Sequence, residues 1–254
     1  MSTARELLAR YLRQRRELGE DALFLETLTR GDAIALASGR RPRRFAPAAE
    51  AAPGEEPAVQ PGSEAAQAAS TPELERVRAE ALACTRCRLH ASRRSVVFGE
   101  GPASAEVVVV GEAPGAEEDR SGRPFVGPAG KLLDRLLASA GFPRERVYIC
   151  NVLKCRPPGN RDPQPDEIAS CVTYLERQIE LIAPRALLAV GSFAAHTLLG
   201  ESHSITTLRG RVHRRQGVPV VATYHPAYVL RSPERLRAAW QDFQLLRQVV
   251  DGEA

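Results

Sequence analysis

The sequence predicts an α/β protein whose parallel sheet is covered by helices on both faces. Short apolar runs rich in β-branched residues recur through the C-terminal two thirds of the chain, and segments with helical spacing separate them. With 43% hydrophobic and 26% charged residues, the 254-residue chain can bury a core. Strand–helix alternation places successive strands parallel, because each helix carries the chain back across a face of the sheet. The length suits one substantial domain plus something smaller.

Taken in order, residues 3–37 alternate apolar and charged positions at helical spacing (Leu7, Leu8, Tyr11, Leu12, Leu18, Leu23, Phe24), so residues 1–37 read as a helical N-terminal extension suited to a protein partner. Residues 38–72 hold six Pro, three Gly and ten Ala with almost no large apolar side chain, the composition of a flexible linker. Thr71-Pro72-Glu73-Leu74 supplies a cap, a first-turn proline and an acid, and opens a helix toward Cys84. The domain proper is placed at 73–254. Residues 106–111 (EVVVVG), 147–152 (VYICNV), 186–190 (ALLAV) and 218–223 (VPVVAT) read as four buried strands. Residues 129–140, 166–182, 193–199 and 233–250 read as helices.

The charge of +4 and the pI near 9.0 point weakly to an anionic partner. Residues 1–72 carry ten Arg and ten acids, so the excess belongs to residues 73–254. No apolar run reaches the roughly 18 residues of a membrane span, and the start, MSTARELLARYLRQRRE, is charged where a signal peptide is apolar. A cytoplasmic protein without membrane contact is expected.

Ligands of such sheets bind beyond the carboxyl ends of the strands, so the loops there carry the functional reading. The first is Gly111-Glu112-Ala113-Pro114-Gly115-Ala116-Glu117-Glu118-Asp119, followed by GRPFVGPAG from Gly122. It matches neither dinucleotide nor P-loop pattern, and its acids repel a bare phosphate. Its glycines and prolines shape a rigid wall on which Phe125 offers a flat face, or else serves as core. After the second strand, Asn151 has an acceptor and two donors with which to read the edge of a base, and Lys154, Arg156 and Arg161 form a cationic rim. After the fourth come Tyr224-His225-Pro226-Ala227-Tyr228-Val229-Leu230-Arg231. His225 before proline is held extended, with its imidazole toward the same crevice. Val229 and Leu230, beside Arg231 and downstream of Arg209, Arg211, Arg214 and Arg215, suit an apolar wedge among arginines, or the start of the final helix.

Cysteine spacing is the strongest signal. Cys84 and Cys87 form a C-x-x-C pair, while Cys155 and Cys171 lie after the second strand and in the following helix. Disulfides are disfavoured in a reducing compartment, and four thiolates suit zinc or an iron-sulfur cluster. The split second pair tilts the reading toward a cluster. Cys150, inside a strand, reads as a small buried hydrophobe.

This combination resembles the family 4 uracil-DNA glycosylases, which carry an iron-sulfur cluster. The resemblance rests on GEAPGAEED with GRPFVGPAGKLLDRLL, NVLKCRPPGNRDP, TYHPAYVLR and the four cysteines, in order from about residue 74 to residue 250. It implies a three-layer αβα sandwich around a four-stranded parallel sheet and a [4Fe-4S] cluster on Cys84, Cys87, Cys155 and Cys171. It implies as activity the hydrolysis of the bond joining uracil to deoxyribose in uracil-containing DNA. The protein is expected to be a monomer. Carried over by motif, Phe125 stacks on the extruded uracil, Asn151 reads its polar edge, and Gly111 and Ala113 line the pocket. His225 then bonds the carbonyl oxygen that becomes negative, while Glu112 and Glu118 shape the pocket and position water. Val229, Leu230, Arg231, Arg156 and Lys154 face the DNA, with either Val229 or Leu230 filling the space of the flipped nucleotide. A better-known glycosylase family has an Asp water activator where this chain has Ala113, so a largely dissociative cleavage is implied. The competing readings are a non-catalytic iron-sulfur DNA-binding module of repair or replication, and an iron-sulfur electron carrier.

Overall fold

The computed structural model describes residues 70–200 and 202–253. The helical extension over 1–37, and the linker apart from its last three residues, lie outside the described residues. The domain is built from helices α1 (Pro72–Leu82), α2 (Ala116–Ser121), α3 (Pro128–Ser139), α4 (Pro165–Ile182), α5 (Ser192–Leu199), α6 (Ile205–Leu208), α7 (Pro226–Arg231) and α8 (Leu236–Asp251). Its strands are β1 (Val107–Gly111), β2 (Tyr148–Asn151), β3 (Ala186–Val190), β4 (Val212–Arg215) and β5 (Val218–Thr223).

The sheet order is β2-β1-β3-β5-β4. Four strands are parallel, as expected, and β4 adds an antiparallel fifth paired to β5. That fifth strand corrects the expected count. Its sequence, Val-His-Arg-Arg, lacks an apolar run because it is an edge strand, where charge discourages further pairing. Gln216 and Gly217, both at positive φ, make the two-residue hairpin turn that joins it to β5.

Parallel strands covered on both faces are apolar at every position. Val107, Val108, Val109 and Val110 are accordingly all buried. Val108, Val110, Leu187, Ala189, Val220 and Ala222 join one core cluster with Leu74 and Val77 of α1, Leu175 of α4 and Leu198 of α5. Beside β3 and β5 lies α8, whose Phe243 and Leu246 are buried. At about 1.5–3 kcal/mol per fully buried large apolar side chain, these layers supply the main stabilisation. The Thr71 hydroxyl accepts from the Leu74 amide and caps α1, as the sequence indicated.

From β1 the chain crosses to β2 on one side and then to β3 on the other, so strand order reverses between β1 and β3. Such a switch point opens a crevice at the strand ends, and the loops after β1 and β3 flank it. No helix among the described residues is long and apolar enough to cross a membrane.

Candidate active site

Gly111, at the end of β1, pairs in register with Asn151, at the end of β2. The space that a Gly111 side chain would occupy is filled by two other groups. A Cβ there would fall 2.3 Å from Asn151 Oδ1 and 2.5 Å from Phe125 Cζ. On the other side of the crevice, Gly191 donates its amide to Thr223 O, at the end of β5, at 2.9 Å. A Cβ on Gly191 would fall 3.1 Å from His225 Cβ. The Phe125 and His225 rings face each other with centroids 5.8 Å apart and planes 29° from parallel. Phe125, Asn151 and His225, from three separate segments of the chain, therefore meet at one place.

Asn151 is 1% exposed, and its Oδ1 has no hydrogen-bond partner. A buried acceptor left unpaired costs about 1–3 kcal/mol, so this atom is poised for a donor from a ligand. His225 precedes Pro226 in an extended conformation, as expected, and N-caps α7. Its Nδ1 accepts from the Ala227 amide at 3.2 Å, which leaves the proton on Nε2. Burial first, then the Arg231 guanidinium, pulls the imidazole down to about 4 against an opposing pull from Glu118. At neutral pH the ring is a neutral Nε2–H donor.

Glu112, with Gly191, Ser192, Phe193, Ile205, Tyr224, His225 and Tyr228, lines a cavity of about 330 Å³. Burial, and secondarily the Asp162 carboxylate, raises the Glu112 carboxyl to about 7. Glu118 is differently placed. Its Oε2 accepts from the Gly115 amide at 3.1 Å, and its Oε1 from Val126 and Gly127 at 2.9 and 3.0 Å. That carboxylate staples the loop after β1 to the segment carrying Phe125. Ala113 is half-buried, packed against the core beneath the same loop.

Two of the expected DNA-facing residues, Lys154 and Val229, are placed otherwise. Lys154 is 1% exposed and turned inward: its Nζ donates to Asn151 O at 2.8 Å and Gln178 Oε1 at 2.5 Å, and burial lowers its pKa. The expected rim position is overturned because these internal acceptors hold the ammonium between sheet and α4. Arg161 is bound to the buried Glu167 at 2.6 Å, and Arg156 to Asn160 Oδ1 at 2.7 Å. Val229 is 2% exposed on the inner side of α7, whereas Leu230 is 49% exposed and Arg231 also faces solvent. Of the upstream arginines, Arg209 clasps Asp242, Arg214 bonds Gly217 O and Arg215 pairs with Glu176. Gly191 with the first turn of α5 (Ser192 and Phe193), Tyr224 and Tyr228 carry no sequence signal of a site, although the glycine following the third apolar run marks the same strand-end position.

The four expected cysteine ligands line a single cavity with Arg86, Arg93 and Tyr174. Arg93 Nη1 donates to Cys155 Sγ, and the Lys154 amide to Cys171 Sγ, both at 3.2 Å. Burial pushes the Cys171 thiol up to about 11 and raises Cys155 as well. At Cys84 burial acts in the same direction, but hydrogen bonding with Tyr174 and Arg86 outweighs it and the net shift is downward. No group of three or more His, Cys, Asp or Glu among the described residues is arranged to hold a single metal ion. Four thiols around a cavity, two of them facing N–H donors, nonetheless fit a polynuclear sulfur-ligated group. Cys150 is buried in the sheet core and does not line that cavity.

The uracil-DNA glycosylase superfamily model matches residues 98–244, the stretch that carries the aromatic ring, the carboxamide and the imidazole of this switch-point crevice. A type-4 uracil-DNA glycosylase of Archaeoglobus fulgidus is 46% identical over 178 residues, covering 67% of this chain and 89% of that protein. One from Thermotoga maritima is 47% identical over 174 residues, covering 67% and 91%. One from Sulfurisphaera tokodaii is 42% identical over 186 residues, covering 70% and 84%. Within the superfamily, the chain belongs to the type-4 uracil-DNA glycosylases, hydrolases of N-glycosyl bonds that serve DNA repair.

Proposed function

We propose that this chain receives a uracil turned out of DNA into the crevice between Phe125, Asn151 and His225, and releases it by hydrolysis. The observation that carries this reading is the buried, unpartnered Oδ1 of Asn151 against the Phe125 ring. Uracil N3–H supplies the missing donor, and the Asn151 amide donates to O4. Cytosine reverses both polarities and leaves two buried groups unpaired. Stacking on Phe125 contributes about 1–3 kcal/mol toward the cost of unstacking the base.

As the C1′–N1 bond breaks, its electron pair goes to uracil and charge gathers on the carbonyl oxygen facing His225. A neutral Nε2–H fixed by the Ala227 amide is preorganised for that charge. Water then adds to the cation-like sugar carbon and loses a proton, leaving an abasic site. Glu112, ionising near 7 in the same cavity, is placed to orient this water and take its proton. Glu118 is a positioning residue, since its bonds go to loop amides. Leu230, with Arg231 beside it, is the wedge that occupies the vacated stack; the exposure of Leu230 and burial of Val229 support that choice.

Cys84, Cys87, Cys155 and Cys171 would hold a [4Fe-4S] cluster, a reading supported by their shared cavity and by the type-4 relationship. When bound, such a cluster would supply a covalent cross-link between the α1 end, the segment after β2 and α4. The test is an assay on a uracil-containing oligonucleotide with iron and sulfide analysis. Wild type generates alkali-labile sites without nucleotide or magnesium. His225→Ala loses about 10²–10³ in kcat while keeping its iron. Intact strands under excess wild-type enzyme overturn the reading.

A further inference from the structure

We propose that Arg144 is a positioning residue that locks Phe125 as the stacking platform, a role that rests on the pocket reading above. Phe125 sits at φ +51°, a left-handed conformation that bulky side chains rarely adopt. Such a conformation persists only where its surroundings hold it. Arg144 lies just ahead of β2, and its guanidinium has five N–H donors in a fixed planar fork. All five are engaged. Nε and Nη2 donate to Glu100 Oε1 at 2.9 and 2.6 Å, and Nη1 donates to Asp134 Oδ1 at 2.8 Å. The two remaining bonds go to backbone: Nη2 to Pro124 O at 2.6 Å and Nη1 to Phe125 O at 3.1 Å.

The guanidinium therefore grips consecutive carbonyls at the strained residue while two carboxylates hold it in place. Glu100 is itself anchored, bridging to Ile149 of β2 and accepting from Arg123. From the other direction, Glu118 takes the amides of Val126 and Gly127. Gly130 completes the grip, since a Cβ there would fall 1.9 Å from Phe125 O. Without Arg144, the two carbonyls lose their donors and Phe125 relaxes toward negative φ, swinging its ring away from Asn151. Because stacking acts on bound uracil in ground and transition states alike, the loss appears in binding rather than in turnover.

The experiment measures the inhibition constant of free uracil and the KM and kcat on a uracil oligonucleotide, using iron-replete enzyme. The variants are Arg144→Met, Phe125→Ala and the double variant. Arg144→Met raises the uracil constant and KM about tenfold with kcat within about threefold of wild type. In the Phe125→Ala background it adds no further weakening. Unchanged uracil constants in Arg144→Met, or effects that add in the double variant, overturn the proposal. If Phe125→Ala itself leaves the uracil constant unchanged, the pocket reading falls and this proposal with it. Should Arg144→Met not fold, Arg144→Lys carries the same expectation, because an ammonium keeps the charge beside Glu100 and Asp134 without spanning both carbonyls.

Discussion

Two titratable side chains in the crevice are displaced in opposite directions by burial, and each then suits its proposed task. His225, drawn down to about 4, stays neutral and donates from Nε2. Glu112, raised to about 7, exchanges its proton near neutrality. The shift at Glu112 also makes stability depend on pH. Its folded value lies above the ordinary 4.5, so the folded state binds a proton that the unfolded chain releases between these values. The resulting stabilisation is complete below pH 4.5 and is lost as pH rises through about 7. Glu112→Gln, a neutral isostere, should therefore gain stability over wild type between about pH 5 and about pH 8. Urea unfolding of both proteins across that range checks it, and a difference independent of pH contradicts it.

At the scale of elements, glycines at the end of β1 and just after β3 leave room for the side chains that meet there. Gly111 leaves the volume into which Asn151 and Phe125 project. Gly111→Ala puts a methyl group inside both contacts. It should lower kcat/KM at least about tenfold while the protein stays folded, since an overpacked site costs only about 1–3 kcal/mol. Circular dichroism beside the glycosylase assay separates the two effects, and wild-type activity in this variant contradicts the geometry. The parallel strands were legible in sequence because burial on both faces writes them as unbroken apolar runs. Strand β4 was not, because an edge strand carrying His213, Arg214 and Arg215 has no apolar signature. Lys154 departs from its expected place for a related reason: a charge in a loop reads as exposed, and only the folded chain brings Gln178 and the Asn151 carbonyl to it. The clamp on Phe125 was equally hidden, with partners scattered over residues 100, 124, 125 and 134.

Across the whole domain, the switch point between β1 and β3 draws residues more than 90 positions apart in sequence into one pocket, from Glu112 to His225. The loop motifs were readable individually, and the strand order explains why they converge. A separate cavity gathers four cysteines behind β2, and Lys154 joins the two regions through the Asn151 carbonyl and the Cys171 sulfur. What the domain builds is a buried, unpaired acceptor at Asn151 Oδ1, and in the proposed reading the base supplies its donor. Inhibition by free uracil and by its N3-methyl derivative, compared in wild type and Asn151→Ala, tests this most directly. Wild type should bind the methylated base at least about tenfold more weakly, because the buried oxygen stays unpaired, and the difference should collapse in Asn151→Ala. Equal inhibition of wild type by the two bases would contradict the reading of Asn151 Oδ1 as the acceptor of uracil N3–H.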